Sequence, residues 1–420
     1  MFNLLTNNSL GPIPNIKVLL IINADTSERS GLPIDRSQER LVDYAALKTA
    51  LNADVVDWNS IKGQRWTRLL AKICGKGVAL AALAFSKNKQ YQAFYCDSEN
   101  NSLVLALLFK LGRLHKPLLT IGHWITSPKK AVLFKFLKLH QYITVIFLHS
   151  STQYQKAIEQ LGIPASKLTL LPYQVDTQFW QLKYAKPVVE QAPYICTAGL
   201  EYRDYATLIE AIRDIPVQLK IGAASHWSKR INNLPDEALP ENVAVASYNY
   251  QQLRDLYAGS RFVVVPLYDV DFQAGITVIL EAMAMSKAVI VTRSSGQGDT
   301  IVDARSNLHG RVNPPVDTKG KFTYLFGSNK GADLSGSTGF YVNPGDSQEL
   351  AEAIKYLLEH PDQAEAMGKV GRRTVETLMS VEQFTCRIIE AILEAAGVKP
   401  DILNSTTTLT YEVEASKAGS

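Results

Sequence analysis

Phe262-Val263-Val264-Val265-Pro266, then Gln273-Ala274-Gly275-Ile276-Thr277-Val278-Ile279-Leu280-Glu281-Ala282-Met283-Ala284, then Ala288-Val289-Ile290-Val291-Thr292 is the stretch on which the reading of this chain turns. Two short runs of β-branched residues flank a segment with helical apolar spacing, so the order is buried strand, loop, helix, buried strand, which is one parallel crossover unit. The Gly275 loop and the helix start behind it offer backbone N–H groups and the positive end of a helix dipole, the kind of place that receives phosphate. Gln273 falls in that loop, and Glu281 projects from the helix that the loop opens.

Working outward, the same alternation recurs on both sides. Lys17–Ile22, Ala93–Tyr95, Leu118–Ile121, Thr144–Leu148 and Leu168–Leu171 read as parallel strands, the last ended by Pro172, which cannot donate to a ladder. A second series starts after Ala192-Pro193, with strands near Tyr194–Thr197, Gln218–Ile221, Val243–Ala246, Phe262–Val265 and Val289–Thr292. Strands separated by segments of helical length argue for doubly wound α/β sheets, and two series mean two Rossmann-like domains. The 420 residues suit two domains of about 200 each. The expected division is 1–185 and 186–397, with a final helix at about Val381 to Ala396 placed to fold back on the first domain. Asp346 and Glu349 form a capping box for a helix bearing Leu350, Ala353, Ile354, Leu357 and Leu358 on one face. The tail from residue 398, with Asn404-Ser405-Thr406-Thr407-Thr408, lacks an apolar period and reads as disordered.

Charge is uneven. Residues 1–190 carry 23 Lys and Arg against 12 Asp and Glu, while the remainder carries 21 against 28. Lys62 to Lys138 holds fourteen bases and only two acids, Asp97 and Glu99, so this half favours an anionic partner. Cys74, Cys96, Cys196 and Cys386 show no metal or redox spacing and fit a reduced, cytoplasmic setting; no metal site is expected. The start, Met1 to Asn7, lacks a basic region ahead of an apolar one, and no apolar stretch reaches spanning length, so neither secretion nor a transmembrane segment is expected.

The loop and helix from Gln273 to Glu281 resemble the donor signature of retaining GT-B nucleotide-sugar glycosyltransferases (glycosyl transferases group 1, family 4-like), where two glutamates flank seven residues; the first is Gln273 here. Leu171-Pro172-Tyr173-Gln174-Val175-Asp176 resembles the family's interdomain segment, with Tyr173-Gln174 replacing Asn-Gly. Ala198-Gly199-Leu200-Glu201-Tyr202-Arg203 resembles its glycine-rich turn, with Leu200 at the usual Arg and Arg203 at the usual Lys. Gly345-Asp346 matches a motif after the last strand. The resemblance implies a GT-B fold of two Rossmann-like domains facing a cleft, the first binding the acceptor and the second the donor.

On that resemblance, Gly199, Arg203, Gly275, Ile276, Thr277 and Glu281 bind the donor. Arg203 and the N–H groups of Gly275, Ile276 and Thr277 neutralise the diphosphate without metal or other cofactor, and Glu281 holds the ribose. His123, at the end of a strand in Thr120-Ile121-Gly122-His123-Trp124, contacts the donor sugar, and with Arg203 and Gln273 makes up the catalytic set. An amide at Gln273 bonds sugar hydroxyls but cannot serve as a base. The bland readings are a surface ion pair of Arg203 with Asp204 or Glu201, an exposed Glu281, and a packing role for His123 beside Trp124; His115, His140 and His149 lack the strand-end context. Lys287 and Arg293 are also basic and near the site, a solvated face explaining them about as well, and Asp299 falls where the family often has a Gly-Gly loop and an acid, its bland reading being a turn. Ala246-Ser247-Tyr248 and the Gly222-Ala223-Ala224 turn are expected to wall the base. Residues 304–337 form an insertion with a candidate hairpin strand at Phe322 to Phe326, either a functional lid or, as the favoured reading, a surface decoration.

Lys129 to Lys138 and Trp66 to Lys76 mix bases with large apolar residues, as interfacial helices do. They point to a lipid or lipid-linked acceptor and to peripheral attachment at the inner face of the cytoplasmic membrane, the alternative being solvated faces over core helices. No nucleic-acid module is recognisable. A GT-B sugar-nucleotide epimerase and a degenerate, non-catalytic nucleotide-sugar binder are the competing functional readings.

Overall fold

The computed structural model describes residues 16–27, 31–187, 192–222, 239–304 and 336–398. The first half contains β1 (Val18–Ile21), α1 (Asp43–Leu51), β2 (Asp54–Val56), α2 (Trp58–Lys62), α3 (Arg65–Cys74), α4 (Lys76–Ser86), β3 (Ala93–Cys96), α5 (Glu99–Leu111), β4 (Leu118–Gly122), α6 (Pro128–Lys135), β5 (Val145–Leu148), α7 (Ser151–Glu159) and β6 (Leu168–Leu170). The second contains β7 (Tyr194–Ala198), α8 (Tyr205–Ile212), β8 (Gln218–Gly222), β9 (Val243–Ala246), α9 (Tyr250–Gly259), β10 (Val263–Val265), α10 (Ile276–Ala284), β11 (Val289–Thr292), β12 (Gly339–Val342), α11 (Ser347–Glu359), α12 (Pro361–Leu378) and α13 (Val381–Ala395).

These strands form two parallel six-stranded sheets, ordered β2-β1-β3-β4-β5-β6 and β12-β11-β10-β7-β8-β9. Central strands are buried along their whole length, which is why they read as unbroken β-branched and aromatic runs. Helices cover both faces of each sheet. In the first, Phe94, Leu103 and Phe109 pack on one side, while Val18, Leu20 and Tyr95 meet Phe384, Ile388, Ile392 and Leu393 of α13 on the other. The last described helix therefore completes the core of the first sheet.

Two elements escape the sequence pattern. The edge strand β2 has three residues, of which only Val56 is buried, so it carries almost no hydropathic signal. Helix α12 contains Gly368 and Gly371, which read as breakers; they are there because α12 lies close to the end of α10, where a Cβ on Gly368 would stand 2.0 Å from the Ser286 carbonyl oxygen. The capping box at α11 is half formed. Asp346 accepts the Glu349 N–H at 2.8 Å, but the Glu349 carboxylate takes the N–H of Asn343 instead of that of Asp346, which is turned to the Asn343 carbonyl.

The two sheets are joined at a paired crossover. Val175 donates to the Met379 carbonyl and Val381 donates to Val175, so the outgoing segment and the return to α13 lie side by side. Asp176 anchors this crossing by accepting from the N–H of Leu41, Gln178 and Phe179 and from Arg36, which also bonds Glu382 at 3.0 Å. The chain start, most of the 304–337 insertion, Ala223-Ala224 and the tail after Val398 lie outside the described residues.

Candidate active site

In an open parallel sheet, groups that follow the carboxyl ends of strands line a common crevice. On the second domain these ends are Ala198, Val265 and Thr292. Gly199, with φ +94°, turns the chain after β7 so that Arg203 folds back beneath the turn. Its guanidinium donates to the carbonyls of Ala198 and Glu201 at 2.9 Å each and is only 4% exposed. The surface ion pair is thus excluded: Asp204 instead caps α8 through the Thr207 N–H. Burial pulls the Arg203 pKa below its ordinary value, with Tyr205, Tyr257, Glu201 and Glu281 acting the other way.

Gly275, at φ +77°, starts α10, and Arg203 reaches it: a Cβ there would stand 3.4 Å from the guanidinium. One cation and the opening N–H groups of a helix therefore converge. The loop is held from beneath by buried Gln297, whose amide donates to the Ala274 carbonyl at 2.9 Å and whose oxygen accepts from Thr300. Thr277 is exposed and Ile276 nearly buried. Gln273 is half-buried, and its side-chain oxygen lies buried among the described groups with no hydrogen-bond partner.

Glu281 is not an exposed helix residue. It is 6% exposed, accepts from the Tyr257 hydroxyl at 3.2 Å, and stands 3.7 Å from Arg40 of the first domain. Burial pushes its pKa up to about 7 against the pull of Arg40, Tyr257 and Arg203. The Arg40 guanidinium stacks 3.4 Å above the Tyr250 ring, near the segment expected to wall the base. Of that segment, Tyr248 lies against Gly222 at the end of β8.

On the first domain, His123 follows β4 and is exposed. Its loop is fixed by buried Glu99, which accepts the N–H groups of His123 and Trp124 at 3.1 Å each and pairs with Lys130. Burial opposes the Glu99 charge, but His123, Lys130 and these bonds hold its pKa below the usual carboxylate value. His123 Nε2 lies 3.0 Å from the Asp97 carbonyl oxygen. Asp97, after β3, is pushed up to about 7 by burial, with the Asn23 N–H opposing. His149 does have the strand-end context denied to it above. It follows β5, its ring centre is 5.7 Å from that of His123, and burial drives its pKa down to about 3, so it is neutral.

Three aromatic residues, each the chain neighbour of a catalytic candidate, bring the two halves together. Trp124 stacks on Phe272 with ring centres 5.0 Å apart, and Phe272 meets Tyr202 edge-on at 5.1 Å. The loops carrying His123, Gln273 and Arg203 therefore meet at one junction across the cleft. Polar bonds flank it: Asp271 accepts from Thr126 and Lys156, both at 2.9 Å, and Asp299 takes the N–H and hydroxyl of Ser151 at 2.7 and 2.8 Å. Asp299 is thus an interdomain anchor and not merely a turn residue.

Comparison with solved structures identifies the fold. A glycosyltransferase from Rickettsia africae matches over 91% of this chain and 98% of its own, with a TM-score of 0.60 at 15% identity. Anabaena HepE in complex with UDP-glucose matches over 90% and 100%, with a TM-score of 0.58 at 16% identity. The fold is GT-B. Within it, residues 194–321 match the family described as "Glycosyl transferases group 1". An uncharacterized glycosyltransferase of Methanocaldococcus jannaschii is 29% identical over 133 residues, a match covering 31% of this chain and 37% of that relative.

Arg40, Gln297, Asp271 and His149 were missed. Arg40 and Asp271 sit in loops without periodicity, and only the meeting of two distant chain segments gives them partners. His149 carried a signal, since it stands one residue beyond an apolar strand just as His123 does. Among the described residues no group of His, Cys, Asp and Glu is placed to hold a metal ion, and no two of the four cysteines are joined in a disulfide.

Proposed function

We propose that the chain is a glycosyltransferase that takes a nucleotide sugar in the second domain and an acceptor from the first, with retention of anomeric configuration. The observation that carries this reading is the junction of the His123, Gln273 and Arg203 loops through Trp124, Phe272 and Tyr202, beside a helix N-terminus. The family match over the donor half and the UDP-glucose held by Anabaena HepE agree with it.

In this reading the diphosphate lies on Arg203 and the N–H groups of Gly275, Ile276 and Thr277, and the ribose bonds Glu281. The preorganised charge acts most strongly as negative charge grows on the leaving group. The acceptor hydroxyl attacks the anomeric carbon from the face that the diphosphate leaves; the carbon–oxygen bond to the diphosphate breaks, and the proton passes to a diphosphate oxygen. His123 orients the sugar, and Gln273 bonds its hydroxyls without formal charge. No metal is required. The basic first domain favours a lipid or lipid-linked acceptor brought from an anionic membrane surface.

The test is incubation with labelled nucleotide sugars and a lipid extract in EDTA, with the product's anomeric configuration read by proton NMR. Transfer with the donor's configuration is expected. Release of an epimerised nucleotide sugar would replace this reading with an epimerase, and tight donor binding without any product would replace it with a binding protein.

A further inference from the structure

Helix α3 is turned the wrong way round for a solvated surface helix. Thr67, Leu70 and Ala71 face the protein: Thr67 is buried, with its hydroxyl on the Ile61 and Gln64 carbonyls at 2.7 and 2.9 Å, and Leu70 and Ala71 pack on the core. Trp66, Leu69 and Ile73 face outward and are 43%, 60% and 71% exposed. Their three- and four-residue spacing sets them in one stripe along the helix. Arg65, Arg68 and Lys72, also exposed, form a second stripe shifted by one residue. No acid occurs between Lys62 and Lys76.

We propose that this face of α3 beds into an anionic lipid surface, with Trp66, Leu69 and Ile73 at the acyl boundary and Arg65, Arg68 and Lys72 on the headgroup phosphates. An apolar stripe bordered by bases matches a surface that is apolar beneath and negative above. A second copy of the chain fits less well, because a two-fold contact would set these bases against their own counterparts. The other basic segment is a weaker contender: in α6, Lys130 is drawn in to Glu99 and Phe134 is buried. The inference deepens the lipid-acceptor reading by naming the contact, but its test does not need turnover.

Sedimentation of the intact protein with phosphatidylglycerol–phosphatidylcholine vesicles and with phosphatidylcholine vesicles tests it, together with quenching of tryptophan fluorescence by brominated lipid. Binding to the anionic vesicles is expected, with quenching that disappears in Trp66→Phe. The triple variant Arg65→Gln, Arg68→Gln, Lys72→Gln should lower partitioning about a hundredfold, and Trp66→Ser, Leu69→Ser, Ile73→Ser at least about tenfold. Nucleoside diphosphate binding by calorimetry should be unchanged in both, which shows that they fold; its absence in the wild type would sink the donor reading and leave the membrane contact standing. Wild-type protein that stays in the supernatant at low salt, or α3 variants that bind vesicles as the wild type does, would overturn the proposal. So would a wild-type dimer that the apolar variant splits.

Discussion

Glu281 is a carboxylate kept where a charge is expensive, with Arg40 and the Tyr257 hydroxyl as its compensation. If ribose hydroxyls bond the ionised form, Glu281→Gln should weaken nucleoside diphosphate binding by about tenfold or more, since bonds to a charged group are worth about 1.5–3 kcal/mol. Wild-type affinity should rise with pH through a step near 7, the pKa to which burial brings this group, and the step should vanish in the variant. Calorimetry from pH 5.5 to 8.5 reads both. Stability has the opposite slope. The folded carboxyl keeps its proton up to about 7 while the unfolded one releases it near 4.5, so the native state binds more protons between those values. Its contribution is complete below about 4.5, is lost as pH rises, and levels off above 7, a change of about 3 kcal/mol that urea titrations of wild type and Glu281→Gln should separate. Gln273 invites the reverse exchange. Gln273→Glu should change which donor sugar is turned over fastest, and a faster rate with the same donor would mark the glutamine as a defect, not a specificity choice.

At the scale of elements, the loop ahead of α10 depends on one backbone conformation. Gly275 has φ +77°, and a Cβ there would come within 2.9 Å of Val265. Gly275→Ala should therefore cost about 1–2 kcal/mol of stability and displace the N–H groups that the phosphate is proposed to meet. Urea unfolding and donor calorimetry measure the two losses, and a variant as tight as the wild type would detach this loop from the donor. The crossover containing Gly275 was legible because β10 and β11 are buried on both faces and so consist of little but β-branched residues. Elements that lie at an edge or touch a neighbour through glycine were not, which is why β2 and α12 left no pattern. The strand ends followed from topology, and with them the places of His123 and Gly275, whereas Arg203 was singled out by the resemblance of its turn. Arg40 did not: its meaning comes from Tyr250 and Glu281, more than two hundred positions away along the chain.

Across the whole molecule, polar bonds bridge the cleft beside the crossover that joins the two domains. The two connecting segments are bonded to each other at Val175, Met379 and Val381, a narrow pair about which the domains would turn. Against it act Asp271 with Thr126 and Lys156, Asp299 with Ser151, and Arg40 with Glu281. Bonds of this kind contribute about 1 kcal/mol each, small enough for thermal opening to admit a donor and large enough to set the resting state. Asp271→Ala with Asp299→Ala should shift the equilibrium toward the open form by about thirtyfold, if the two losses add to about 2 kcal/mol. The radius of gyration from small-angle X-ray scattering should then rise in the absence of donor. Nucleoside diphosphate affinity should stay near the wild-type value, because the residues proposed to bind it belong to the second domain, whereas turnover should fall if His123, proposed to orient the sugar, reaches it by closure. A scattering profile identical to that of the wild type would mean that the remaining contacts, the Trp124–Phe272 stack and Arg40 with Glu281 among them, hold the cleft, and Trp124→Ala added to the double variant should then open it.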